Sequence, residues 1–407
     1  MDPAVGVAPV TTVTALVFVL GGISLGTVSG LIPGLHANNF ALLLASVAPA
    51  VPAEPLYVGA AMLAAGVTHT FLDIVPALAL GVPDPAMAPT ALPGHQLVLE
   101  GRGHEALRLS ALGSALAVGF AVPLAVPITL GMERLYPTIA ANISVVLGVV
   151  ALLLVVTERT LVARLGGALS LVLSGALGVL TLDVPTGGVL PAGNMLAPLF
   201  AGLFGAPILI EALDGEGVPP QDDTRVTTSR RFVVGVGLVG TLCGAFVGYL
   251  PGISAAIAAG AAMVVLPQRG PRAFVVATSG VSTANSVFAL FALVALGSPR
   301  TGVLVAVENT NVPHNLPILL GSIAIAAAIG FILVLLVGDR YLELVGAVDN
   351  RWLSVGVLGF LCVLVAAFTG VVGLVVFAVS TVVGLIPARF GSRRMTLMGV
   401  LLVPLAL

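Results

Sequence analysis

Uncharged apolar runs set the first constraint on this chain. Residues 9–32, PVTTVTALVFVLGGISLGTVSGLI, hold no ionisable group, and comparable runs recur to the C-terminus. A helix crosses the roughly 30 Å hydrocarbon layer in about 20 apolar residues. A spanning β-barrel would instead alternate in segments of about ten residues. The continuous runs therefore predict an all-α polytopic membrane protein. Composition agrees: 58% of the 407 residues are hydrophobic and 8% are charged, against about 25% charged in soluble domains. An exterior that must stay wet cannot be built from this set, whereas one facing lipid can.

The remaining charges exclude several roles. A net charge of −2 argues against nucleic acid as a partner. Every basic residue is arginine. Cys243 and Cys362 are isolated in apolar runs, with neither metal spacing nor a disulfide framework. The N-terminus lacks the positive region of a signal peptide, so its apolar run is expected to remain as the first membrane segment.

Candidate segments in the first half are 10–32, 38–51, 55–81, 106–131, 138–157, 162–182 and 188–210. Those in the second half are 232–250, 254–267, 273–297, 302–307 continuing into 314–338, 352–370, 371–388 and 395–407. Segments 38–51, 254–267 and 395–407 are too short to span as simple helices. Short apolar pieces beside Gly and Pro are the trace of re-entrant hairpins or broken helices. The hydrophilic stretch 211–231 reads as an exposed linker between a first membrane repeat, 1–210, and a second, 232–407. Arg225, Arg230 and Arg231 near its end point to the cytoplasmic side.

The halves repeat. GTVSGLIPG at 26–34 and GAFVGYLPG at 244–252 both fit G-x-x-x-G-x-x-P-G. Gly66-Val67-Thr68 resembles Gly280-Val281-Ser282, and Leu80-Gly81-Val82-Pro83 resembles Leu296-Gly297-Ser298-Pro299. Small residues at this spacing let helix backbones approach closely. Pro-Gly then stops the helix. A break inside the bilayer frees backbone groups that must be buried or line a watery cavity. The following half-helix points its N–H groups at that space, which suits an anion. Paired breaks of this kind place a substrate site at the repeat interface, with the repeats expected to be inverted.

These motifs resemble the TctA family, the large membrane subunit of tripartite tricarboxylate transporters. The match is carried by the Pro-Gly turns after G-x-x-x-G, by Gly94, Gly101, Gly103, Ala106 and Leu107, and by Asn285. Thr68-His69-Thr70 stands where the family has a Gly-Gly-Ser segment, and Pro83-Asp84 and Pro299-Arg300 stand where it has Pro-Gly. The chain thus resembles a divergent, short member. The resemblance implies a multi-pass permease for small organic anions, working with a small membrane subunit and an extracytoplasmic binding protein.

Polar residues inside apolar runs supply the candidate site. His69 and Asp73, at i and i+4, share one face of a helix. An acid at membrane depth is costly and asks for a role, so Asp73 is the candidate for coupling to sodium or a proton. Around the first break the candidate substrate contacts are Pro33, Gly34, His36, Asn38, Asn39, Thr68, His69, Thr70 and Gly81. Around the second they are Pro251, Gly252, Ser254, Ser282, Thr283, Asn285 and Gly297. Asn and Ser after a break also serve as ordinary N-caps, and intramembrane hydroxyls also serve as interhelical hydrogen bonds. Glu308, Asn309, Asn311, His314 and Asn315 read as an exposed turn, with a gate or second polar pocket as the alternative, and Asp339, Arg340, Glu343, Asp349 and Arg351 as an aqueous loop. Arg389, Arg393 and Arg394 read as a flank facing lipid headgroups.

The reading is a secondary active transporter for carboxylates, with no cofactor beyond a coupling sodium ion or proton and with membrane lipid as its solvent. A channel or a flippase for a lipid-linked anion is the alternative. An intramembrane enzyme is disfavoured: the sequence has no His-Glu-x-x-His signature.

Overall fold

The structure, a computed structural model, describes residues 9–33, 35, 37–81, 91–189, 195–213, 218–222, 225–250, 255, 258, 262 and 270–407. All regular elements among them are helical. The first half contains α1 (Pro9–Gly30), α2 (Ala37–Val47), α3 (Pro55–Leu72), α4 (Ile74–Leu80), α5 (Ala91–Leu99), α6 (Gly103–Ala141), α7 (Ile143–Val156) and α8 (Leu161–Thr181). It closes with α9 (Leu196–Phe200) and α10 (Ala206–Ala212), joined by a π turn over Ala201–Gly205. The second half contains α11 (Arg230–Tyr249), α12 (Pro271–Leu296), α13 (Gly302–Asn309), α14 (Leu316–Ala347), α15 (Asn350–Gly384), α16 (Ile386–Phe390) and α17 (Gly399–Ala406). Among the described residues, eight helical stretches are long and apolar enough to cross a membrane. Val17 and Val28 on α1, Leu180 on α8 and Val363, Val371 and Val382 on α15 point outward, as a surface bathed in lipid requires. The protein is a multi-pass membrane protein.

Local sequence explains where helices start and bend. Thr160, Ser229, Thr301, Asn315 and Asp349 each cap a helix by accepting a backbone N–H. The α3–α4 joint falls at Asp73 because Pro76 has no N–H for the Leu72 carbonyl and crowds it. Pro123, Pro127 and Pro137 do not end α6, although the sequence suggested two segments there. Neighbouring helices support such residues in membranes. The boundary expected at 370/371 is a kink instead, with Gly370 at φ 69° and ψ −158°.

Glycine sets the helix pairs. A Cβ on Gly22, Gly26 or Gly30 of α1 would collide with Ala61, Ala65 and Leu72 of α3. A Cβ on Gly240, Gly244 or Gly248 of α11 would meet Ala277, Val281 and Phe288 of α12 in the same way. The glycines are shifted by 218 residues and their partners by 216. Both inner stretches, Pro55–Leu80 and Pro271–Leu296, are 26 residues long. Both end on a left-handed glycine, Gly81 at φ 67° and Gly297 at φ 61°. This register makes Asn285 the counterpart of His69, two residues away from the alignment that Gly66 and Gly280 suggest.

The pairs are cross-braced. α14, from the second half, lies along α3 with Gly330 on Phe71, and beside α1 with Ile318 and Ile325 near Thr12 and Val19. α6, from the first half, lies along α12 in the same direction: Glu105 meets Arg272 and Ser110 meets Ser279. α6 and α14 cross in opposite senses, Gly103 against Leu342 and Leu107 against Gly338. Since α3 follows α14 and α12 follows α6, the α1–α3 and α11–α12 pairs point in opposite directions. A second apolar cluster joins α7, α9 and α10 to α15 and the C-terminal turn through Leu147, Phe200, Phe204, Leu397 and Met398.

Polar junctions fasten the ends. Glu105 is fully buried and accepts from Arg102 at 2.7 Å, from two nitrogens of Arg272 at 3.1 Å and from Thr227 Oγ1 at 3.2 Å. Gln221 accepts from the Gly103 N–H at 2.7 Å and donates to the Val98 carbonyl at 3.0 Å. The hydrophilic linker is thus pinned across α5, α6 and the start of α12. Glu105→Gln is expected to cost about 2 kcal/mol, because it replaces the buried carboxylate that two half-buried arginines share. The check is thermal unfolding in detergent. Adding Arg272→Gln should recover part of the loss if the two groups are coupled.

The structure revises two expectations about charge. Arg393 binds Glu158 through its backbone N–H at 2.9 Å and its Nε at 3.1 Å, and Arg394, 6% exposed, donates to Glu211 at 2.7 Å. They clamp the C-terminal turn to the end of α7 and to α10, while Arg389 stays exposed. Asp339, Arg340 and Glu343 lie on α14, where Asp339 bonds His104 at 2.5 Å. The Glu308–His314 turn is exposed, as read from sequence, and Asn315 caps α14.

Candidate functional site

The described part of the site begins where α1 ends. Ser29 lies in the last turn of α1 and is buried. Its Oγ meets His69 Nδ1 at 2.9 Å. The His69 ring also stacks on Phe40 of α2, with centroids 6.2 Å apart and planes 14° apart. One fully buried imidazole on α3 therefore touches both sides of the first helix interruption. Pro33 is part of the turn between α1 and α2, and Asn38 and Asn39 occupy the first turn of α2. Gly34, His36, Pro251, Gly252 and Ser254 lie outside the described residues.

α3 carries the densest polar set. Thr68 and His69 are fully buried, and Asp73 is 5% exposed. Thr70 Oγ1 donates back to the Val67 carbonyl at 2.8 Å. The Asp73 N–H donates to the His69 carbonyl at 2.8 Å, so the helical path continues to Asp73 and the two side chains leave from one face. Thr68 Oγ1 is buried with no hydrogen-bond partner among the described residues. Buried hydroxyls of this kind are uncommon, and a ligand oxygen or cation would satisfy it.

The second half supplies a matching set on α12. Thr283 is fully buried, with Oγ1 likewise unpartnered among the described residues, and Ser282 is buried. Asn285 and Ser286 are half-buried. Ser279 is bonded across to Ser110 of α6 at 2.8 Å and so braces helices. α3 and α12 touch each other. Among the described residues no three His, Cys, Asp or Glu side chains gather as a metal site. The corner between α1, α2 and α3 holds a cavity of about 320 Å³ lined by Phe18, Leu44, Val58 and Met62. Its apolar walls give an anion nothing to hold.

Sequence reading missed two contacts here. Tyr249, at the end of α11 and fully buried, bonds Thr129 of α6 at 2.5 Å and packs against Phe288. It stands two residues before Pro251, and a tyrosine ahead of a repeated Pro-Gly was the available signal. His95 donates its Nδ1–H to the Leu78 carbonyl, 2.6 Å away, shortly before Gly81. Since that carbonyl can only accept, Nδ1 carries the proton. Burial lowers the pKa of this ring, and the carbonyl bond opposes the shift.

Comparison with known proteins agrees with this architecture. Residues 16–399 match the family described as the tripartite tricarboxylate transporter TctA family. The uncharacterized protein MJ1079 of Methanocaldococcus jannaschii is 27% identical over 397 residues, covering 96% of this chain and 97% of its own length. No solved structure matches. The match to the family runs through every helix from α1 to the start of α17, and the chain belongs to the tripartite tricarboxylate transporter TctA family, a family of transporter components.

Proposed function

We propose that this chain is a secondary active permease for small organic anions of the carboxylate class, coupled to sodium or protons. On this reading its two halves form an inverted repeat. The substrate sits where the polar stretches of α3 and α12 meet the two helix interruptions. A small membrane subunit and an extracytoplasmic binding protein complete the transporter, as the family name implies.

The observation that carries the reading is the oppositely directed helix pairs, α1 with α3 and α11 with α12, each closed by glycines in equivalent register. Each pair runs up to a Pro-Gly interruption in the sequence. Opposed broken helices give an anion the positive ends of two half-helices at mid-membrane and give the protein two related conformations, open to either side. Thr68, Thr283 and Asn285 are neutral donors suited to carboxylate oxygens, and Asp73 is the acid suited to a cation or proton.

The test is uptake of labelled succinate and citrate, under separate sodium and proton gradients, into proteoliposomes that hold this chain together with its small membrane subunit and binding protein. Uptake that follows one gradient and collapses with its ionophore is the expected result. Failure of every di- and tricarboxylate, or flux indifferent to both gradients, would overturn the reading.

A further inference from the structure

Arg300 is set apart from the other arginines tied into the ends of the fold. Arg102 and Arg272 share Glu105, Arg393 binds Glu158 and Arg394 binds Glu211. Among the described residues Arg300 has no such acid. Its Nε and Nη2 are buried with no hydrogen-bond partner among the described residues. Its guanidinium lies 4.7 Å from the centre of the Tyr136 ring on α6, which fixes one face of the cation and leaves the N–H edge for something else. Two guanidinium nitrogens shut away from water call for an acceptor.

Its place in the fold says what kind. Arg300 lies between the left-handed Gly297 that ends α12 and Thr301, the N-cap of α13. α13 runs antiparallel along α3, Val303 on Gly66 and Val312 on Gly59. Three residues of chain reach at most about 11 Å, so Arg300 stays near the α3 turn that carries Thr68 and His69. The positive end of α13 follows directly and adds to the field. The corresponding position of the first half is Asp84. The repeats therefore differ in charge at this point, and only the second offers a cation.

We propose that Arg300 is an oxyanion anchor of this chain: its free N–H edge takes a carboxylate of the transported solute, while Tyr136 holds the guanidinium plane. The planar fork suits two oxygens of one carboxylate. The proposal rests on the carrier reading above and assigns its substrate contact. A lipid phosphate offers the same chemistry, and the test separates the two.

Purified protein is to be assayed for equilibrium binding of labelled succinate and citrate in detergent, and for retained anionic lipid by native mass spectrometry. Arg300→Gln should weaken carboxylate binding about tenfold or more, with Arg300→Lys in between, while retained lipid and the monodisperse profile stay as in the wild type. Tyr136→Leu should give a smaller loss of the same kind. Wild-type carboxylate affinity in Arg300→Gln would overturn the anchor and leave the carrier reading standing. Loss of retained lipid with unchanged solute binding would assign Arg300 to a headgroup and also overturn it. No carboxylate binding by the wild type, together with no uptake, would overturn both.

Discussion

Leucine in place of Gly22 is expected to abolish the folded protein, whereas leucine in place of the adjacent Gly21 is expected to be tolerated. A Cβ at Gly22 would collide with the backbone of Ala61, while one at Gly21 meets nothing within 4 Å. Backbone cannot rotate out of the way as a side chain can. The α1–α3 seam would have to open along Gly22, Gly26 and Gly30, and with it the contacts of Ser29 and Phe40 to His69. Overpacking of this kind costs about 3 kcal/mol or more, a large share of ordinary stability. The measurement is the monodisperse fraction on size-exclusion chromatography and its melting temperature. Gly240→Leu on α11 should reproduce the loss, since its Cβ would press on the Ala277 carbonyl at 2.8 Å. Equal behaviour of the Gly21 and Gly22 variants would show that the seam is not held by close backbone approach.

The second large effect concerns Asp73. Asparagine there keeps the size and most hydrogen bonding of the side chain but removes a charge that can bind a cation or proton. Coupled uptake is expected to fall to the level of empty vesicles, with yield and melting temperature close to wild type. Asp73 is 5% exposed in a stretch apolar enough to span the membrane, one turn from His69. Acids are retained at such depth mainly for function. Wild-type, gradient-dependent uptake by Asp73→Asn would remove Asp73 from the coupling step. His69→Gln tests a different link: it should disturb the bond to Ser29 and the stack on Phe40, and so change substrate affinity more than gradient dependence.

Much of the framework was legible in the residues. The helical class follows from uncharged runs that only lipid can surround. The starts of α3 and α12 at Pro55 and Pro271, and the ends of α4 and α12 at Gly81 and Gly297, follow from backbone rules local to those positions. The same rules expose the duplicated G-x-x-x-G and Pro-Gly. The site was legible only as residue types: hydroxyls, an imidazole and an acid where apolar groups were expected.

Tertiary structure decided what those residues touch. Nothing in the sequence couples Glu105 to Arg272, Tyr249 to Thr129 or Arg393 to Glu158, because contacts across more than a hundred residues depend on which helix faces meet. Arg394 and Asp339 look like loop or headgroup charges by composition, yet packing gives each a specific partner in Glu211 and His104. The register between halves had the same origin: motif similarity pairs Gly66 with Gly280, whereas helix contacts pair His69 with Asn285. Local sequence fixes where a helix can begin, break and approach another, since those are properties of φ, ψ and side-chain volume. The choice of partner, and with it the opposed direction of the α1–α3 and α11–α12 pairs, arises only when all the helices compete to bury their polar groups and small-residue seams together.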